Sequence, residues 1–260
     1  MDEQEIQERL ADPTFQQTVF NNLMEVFVLP NIKRRQEKGE LPDPLHLMAA
    51  QVLIYPDERP IDVRINEEVR AVAEMKLKPD VEVKPGDPIH AHQLESVSNF
   101  RLTEDDDPDC GYIILLQLEG RWSGNFNFIY NRGLSQKHIK AARQFFETAE
   151  YALEKQYWPV FVDTLFSASE LAVKALMMGH HVDLRNAKKH NRVHTVFNQF
   201  ARMGNVEEQQ RDTFNQLSQL RPTARYLHKD VEFNESEAQQ MLETVREMIE
   251  GLEVLLNRVM

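Results

Sequence analysis

The chain has 260 residues, 42% of them hydrophobic, and carries 30 Lys and Arg against 42 Asp and Glu for a net charge of −12. That length supports one large or two ordinary domains, each able to bury its own core. The longest apolar run, Tyr112 to Leu116, falls far short of the roughly 18 residues of a membrane span, and the opening Met-Asp-Glu-Gln-Glu is acidic where a secretory signal is basic. A cytoplasmic protein with no membrane association is expected. The single cysteine, Cys110, excludes an internal disulfide and a multi-cysteine zinc site.

The acidity is uneven. Residues 1–133 hold 14 Lys and Arg against 25 Asp and Glu, net −11, whereas residues 134–260 hold 16 against 17. The acidic balance, which argues against a nucleic-acid partner, thus belongs to the first half. In the second half, His180, His181, Arg185, Lys188, Lys189, His190, Arg192 and His194 form a basic run offset only by Asp183.

In chain order, residues 3–29 carry Ile6, Leu10, Val19, Leu23, Val26 and Phe27 at helical intervals, with a break at Pro13 and an end before Pro30. Ala49 to Tyr55 is a weaker strand candidate. From Ile61 to Leu77 apolar and polar residues alternate, which predicts one half-buried strand. Leu94 to Leu102 is a second weak strand, followed by the acidic run Asp105 to Asp109, read as a solvated turn because its spacing fails the EF-hand pattern. Tyr112 to Leu118 and Trp122 to Tyr130 predict a hairpin turning at Glu119-Gly120-Arg121, with Trp122, Phe126, Phe128 and Tyr130 on a core face.

After Gly133 the period lengthens to about 3.6 and stays there. A first helix is capped near Ser135, a second has Pro159 in its first turn and stops at Gly179, and a short third carries Val193 to Phe200. A fourth runs from about Val206 to His228, and a last one follows Asn234 and Ser236. The fold class is α+β: an N-terminal domain rich in antiparallel sheet, residues 1–133, then an all-α helical bundle, residues 134–260.

On the fourth helix Phe214, Leu217, Arg221, Arg225 and His228 share one stripe that begins apolar and finishes cationic. Such a row must meet an anion, a partner chain or water. Pro222 predicts a kink between Leu220 and Thr223, because its ring crowds the carbonyl of Ser218. On the second helix Glu170 and Lys174 are spaced for an intrahelical ion pair, and Glu170 is also a candidate to steady Arg221 or His228. His190 and His194 lack a third ligand, so no metal is expected.

The helical half resembles the HEPN domains (higher eukaryotes and prokaryotes nucleotide-binding). The likeness lies in Ser167-Ala168-Ser169-Glu170 through Lys174-Ala175-Leu176, in His194-Thr195-Val196 opening the next helix, and in Leu220-Arg221 with Ala224-Arg225-Tyr226 closing the fourth. It covers roughly residues 134–258. The resemblance implies a metal-independent endoribonuclease without cofactor, built as a homodimer, in which an Arg followed by four to six residues and then a His forms a composite site, often in bacterial defence or toxin systems. Carried onto this sequence, Arg221 and His228 are the catalytic pair, and Arg225, Lys188 and Lys189 are candidate RNA-binding residues. Active members usually have Asn, Asp or His after the arginine, and this chain has Pro222. The alternative is a non-catalytic interaction module that docks a partner protein or binds a nucleotide, with the acidic N-terminal domain as a further docking surface.

Overall fold

The structure is a computed structural model describing residues 12–180, 190–226 and 234–257. The chain divides into two compact units, residues 1–106 with 111–127, and residues 107–110 with 128–260.

The first unit opens with α1 (Pro13–Leu23), whose N-cap Asp12 accepts from Thr14 N at 2.8 Å. The helix does not end before Pro30. It widens into a π turn, Met24–Val28, and continues as α2 (Leu29–Glu37). Proline has no N–H to give and its ring crowds the carbonyl four residues back, so the wider turn, with Leu29 N bonded to Met24 O, lets the helix pass.

Four antiparallel strands form a sheet in the order β2-β1-β5-β6, from β1 (Ala49–Ile54), β2 (Asp62–Ile65), β5 (Gly111–Leu118) and β6 (Arg121–Asn127). A separate antiparallel pair joins β3 (Val72–Leu77) to β4 (Leu94–Arg101). Met24, Val28 and Ile32 pack with Ala50, Val52, Val63, Ile65, Ile113 and Leu115, which share one face of the sheet by the two-residue period.

The alternating stretch from Ile61 to Leu77 is thus two strands in two sheets. Asn66, at φ 53°, breaks it: its side-chain oxygen accepts from Met48 N (2.8 Å) and Ala49 N (3.2 Å), and its amide donates to His46 O (2.9 Å). Glu68 closes the turn, accepting from Ile65 N at 3.0 Å and from both ends of the Arg35 fork at 2.5 and 2.8 Å. Period two predicts strand but does not see this turn, because the turn consumes polar residues in step with the alternation.

The β5–β6 hairpin turns through Glu119 and Gly120, both at positive φ, as a two-residue connection requires. At Gly124 an added Cβ would stand 2.6 Å from Ile114 O, so only glycine fits. The core-face expectation holds for Trp122, whose ring meets Phe20 at 5.4 Å, but Phe126 and Phe128 are exposed.

Nor is the Asp105 to Asp109 run a solvated turn. Asp106 is buried and accepts from Arg64 Nη1 and Thr103 Oγ1, both at 2.8 Å. Asp109, in the second unit, accepts from Gly133 N at 2.7 Å and caps α3 (Arg132–Glu154) from a distance in sequence. The N-cap position is Asn131, in the left-handed region, and not Ser135, which is buried and donates to Ala175 O at 3.1 Å.

The second unit is all-α: α3 is followed by α4 (Trp158–His180), α5 (His190–Arg202), α6 (Glu208–Tyr226) and α7 (Glu235–Asn257). Its core is continuous from Phe146 on α3 through Phe161, Leu165 and Phe166 on α4 to Phe197, Phe214, Leu217 and Ile249. Among the described residues no helix is long and apolar enough to cross a membrane.

Glu68 supplies a pH test for the first unit. The Arg35 hydrogen bonds hold its carboxyl below the usual 4.5, with Ile65 N adding to the effect. A depressed folded pKa contributes stability that is present above the unfolded value and disappears as pH falls through the folded one. Urea titrations following Trp122 fluorescence in a Trp158→Phe background are expected to show Glu68→Gln lowering the midpoint at pH 7, with the difference from the parent shrinking as pH falls below the usual carboxylate range.

Candidate functional site: an arginine seated on an aromatic stack

The stripe along α6 grades from core to solvent. Phe214 and Leu217 are fully buried, Arg221 is half-buried, and Arg225 is exposed in the last turn. Arg225 makes no side-chain hydrogen bond or ion pair with another described residue. The helix runs without interruption through Pro222 to Tyr226.

Arg221 does not stand alone. Its Nε donates to Asp163 Oδ1 on α4 at 3.0 Å, and its guanidinium carbon lies 4.5 Å from the centre of the Phe166 ring. A cation over a ring face gains from the ring quadrupole, and a buried ring strengthens the contact by excluding water. Only Nε is committed. The Nη1–Nη2 end of the fork makes no hydrogen bond with another described residue, and the side chain keeps 25% of its surface in solvent.

Behind the arginine the rings continue. Phe166 stacks on Phe214 at 6.0 Å, Phe197 meets Phe214 edge-on at 5.2 Å, and the His194 imidazole stacks on Phe214 at 4.3 Å. His194 Nε2 shares a hydrogen bond with Ser218 Oγ at 3.3 Å, one turn before Arg221. Asn198 and Asn215 exchange side-chain hydrogen bonds at 3.2 and 2.8 Å, tying α5 to α6 beside them. Three helices thereby fix one arginine.

Glu170 pairs with Lys174 at 3.2 Å and is buried. The carboxylate that meets Arg221 is Asp163, two turns earlier on the same helix face. The sequence held a signal for it: in the apolar α4, Asp163 and Glu170 are the only two acids, seven residues apart and so facing the same way. Phe166 and Ser218 carried no such signal, since a ring and a hydroxyl at helical spacing read as ordinary packing. His228, Lys188 and Lys189 lie outside the described residues, as does the His190 side chain.

These features define a class: an all-α bundle presenting a half-buried arginine, backed by aromatic rings and steadied by one carboxylate. Residues 135–255 match the family model of the HEPN domain, and the C-terminal part of the chain carries that domain. The family contains ribonucleases and non-catalytic members, and its domains often dimerise. No curated relative matches the chain.

Core and site separate in a stability experiment. Phe214→Ala is expected to cost about 3–5 kcal/mol by thermal or urea unfolding. Arg221→Ala, which loses one partly exposed pair and one ring contact, is expected to stay within about 1–1.5 kcal/mol of the parent; equal losses in the two variants would contradict the division.

Proposed function

We propose that the HEPN domain is a metal-independent endoribonuclease whose cleft is completed by a second copy of the chain, Arg221 and His228 from each protomer facing one phosphodiester. The observation that carries this reading is the open Nη1–Nη2 end of Arg221. A planar fork with two free donors matches two oxygens of a phosphate, and the Asp163 bond orients it without occupying that end.

In the reaction the RNA 2′-hydroxyl attacks the adjacent phosphorus, its proton passing to one His228 imidazole. The 5′ oxygen of the next nucleotide leaves with a proton from the other, giving a 2′,3′-cyclic phosphate and a free 5′-hydroxyl. Histidine serves both steps because its ordinary pKa lies near neutrality. Arg221 stabilises charge on the non-bridging oxygens. Along an ideal helix Arg221 and His228 would stand about 10 Å apart, a span that two protomers close more readily than one. Arg225, Lys188 and Lys189 add phosphate contacts, and Glu170 supports the arginine face through α4. The protein acts in the cytoplasm, in a defence or toxin setting, and the acidic N-terminal unit docks a partner protein.

A second reading has one observation in its favour. Asp163 already neutralises Arg221 within the chain, as it would in a non-catalytic module that docks a partner or holds a nucleotide without turnover. Incubation with mixed RNA in EDTA separates the two. The nuclease reading predicts 2′,3′-cyclic ends, with loss of at least about 100-fold in Arg221→Ala and in His228→Ala. No cleavage by the parent, or equal cleavage by the variants, contradicts it.

A further inference from the structure

One face of α7 is left open to solvent. Gln240, Glu243, Glu247, Gly251 and Val254 recur at intervals of three or four residues, so they form a single stripe, and every one of them is exposed. Two depressions lie along it and share Glu247. The first, about 730 Å³, is walled by Gln209 of α6 and by Glu235, Glu243 and Glu247 of α7. The second, about 420 Å³, is floored by Val173, Phe197 and Leu252 and edged by Leu176, Val206 and Leu255. From Glu235 to Leu255 they follow α7 for about 30 Å, acidic at one end and apolar at the other. We propose that this groove takes a basic amphipathic helix of a partner protein, on a surface separate from Arg221.

The charge balance selects the sign of the partner. The two linings hold Glu235, Glu243 and Glu247 and no Lys, Arg or His. Among the described residues, Arg246 bonds to Glu243 and shares itself with Glu150 of α3 at 2.8 Å. Arg211, two residues beyond Gln209 on α6, is taken by Asp212 at 2.8 Å and has Glu208 at 3.8 Å. Glu235 and Glu247 form no ion pair with another described residue, so the acidic end keeps a net negative charge. A cationic side chain gains there, whereas a second copy offering the same stripe would set carboxylate against carboxylate.

Gly251 is an independent sign that another chain approaches. Apart from proline, glycine is the least favourable residue inside a helix, and no packing within the domain calls for it, since an added Cβ would meet nothing within 4 Å. What its bare backbone allows is a closer helix crossing than a larger side chain would permit. It stands between Glu247 and Val254, at the start of the apolar half. Val254 is 50% exposed there, although Leu252 and Leu255 beside it pack on the core.

A helix laid in a groove holds on by apolar anchors at i, i+3, i+4 and i+7. The partner helix therefore carries such anchors in one half and Lys or Arg in the other. About 20 residues of helix span the groove.

A fluorescein-labelled peptide of that length and design, Leu anchors in one half and Lys in the other, tests this by anisotropy against the full chain at low ionic strength. A scrambled peptide of equal composition controls for plain charge attraction. Saturable binding is expected, at least about 10-fold weaker for the scrambled peptide. Gly251→Leu, which fills the groove and suits a helix better than glycine, is expected to weaken binding at least about 10-fold without lowering the thermal midpoint. Glu235→Gln with Glu247→Gln is expected to weaken it at least about 5-fold, and this charge pair decides alone if Gly251→Leu unfolds. Glu25→Gln with Glu37→Gln, in the first unit, is expected to leave it within about twofold. No saturable binding, equal binding of the scrambled peptide, unchanged affinity in the groove variants, or an equal loss in the first-unit pair would overturn the proposal. Sedimentation velocity is expected to show the same assembly state for the parent and Gly251→Leu; a dimer lost in the folded variant would assign the groove to a second copy instead. RNA enters none of these readouts, so they stand or fall apart from the nuclease reading.

Discussion

The helical unit depends on Phe214. Its ring is fully buried and touches rings from α4 and α5 at once, so the positions of Phe166, Phe197 and His194 are all set by one side chain on α6. Aromatic pairs in such offset and edge-on arrangements contribute beyond their buried area. They also fix distance, because rigid rings leave few ways to close the gap between helices. Arg221 inherits this order: it rests on Phe166, which rests on Phe214.

From that constraint follows the electrostatic character of the site. An arginine placed over a buried ring loses part of its hydration and must be compensated. Asp163 compensates it with one bond to Nε, enough to set the plane of the guanidinium and too little to use up its donors. The carboxylate therefore has two opposite consequences. It orients the fork that an incoming phosphate would meet, and it lowers the net charge that attracts that phosphate. The catalytic and non-catalytic readings of this domain differ over which consequence matters more.

How much of this was legible in the sequence depends on the range of the interaction. The five helices of the second unit followed from the 3.6-residue period, and the Glu170–Lys174 pair followed from its spacing. So did the burial gradient along α6. What escaped was set by partners distant in sequence: Asp109 capping α3, Asp163 meeting Arg221 across 58 positions, and Asn66 dividing one alternating stretch into two strands. In each case a short polar side chain took a backbone or charged group far along the chain, which no local pattern reports. Pro30 misled for a related reason, since a π turn accommodated a residue that ends most helices. The candidate nuclease pair was legible from resemblance alone, and only its arginine half lies among the described residues.

The most direct test of Arg221 as a preset phosphate contact is the salt dependence of binding to a short single-stranded RNA. Each phosphate neutralised by a protein cation contributes about 0.7 to the slope of log K against log salt. Arg221→Gln is expected to weaken binding and reduce that slope by about 0.7 per protomer, while Asp163→Asn, which removes the negative charge beside the open fork, is expected to tighten it. Slopes and affinities unchanged in both variants would contradict the account.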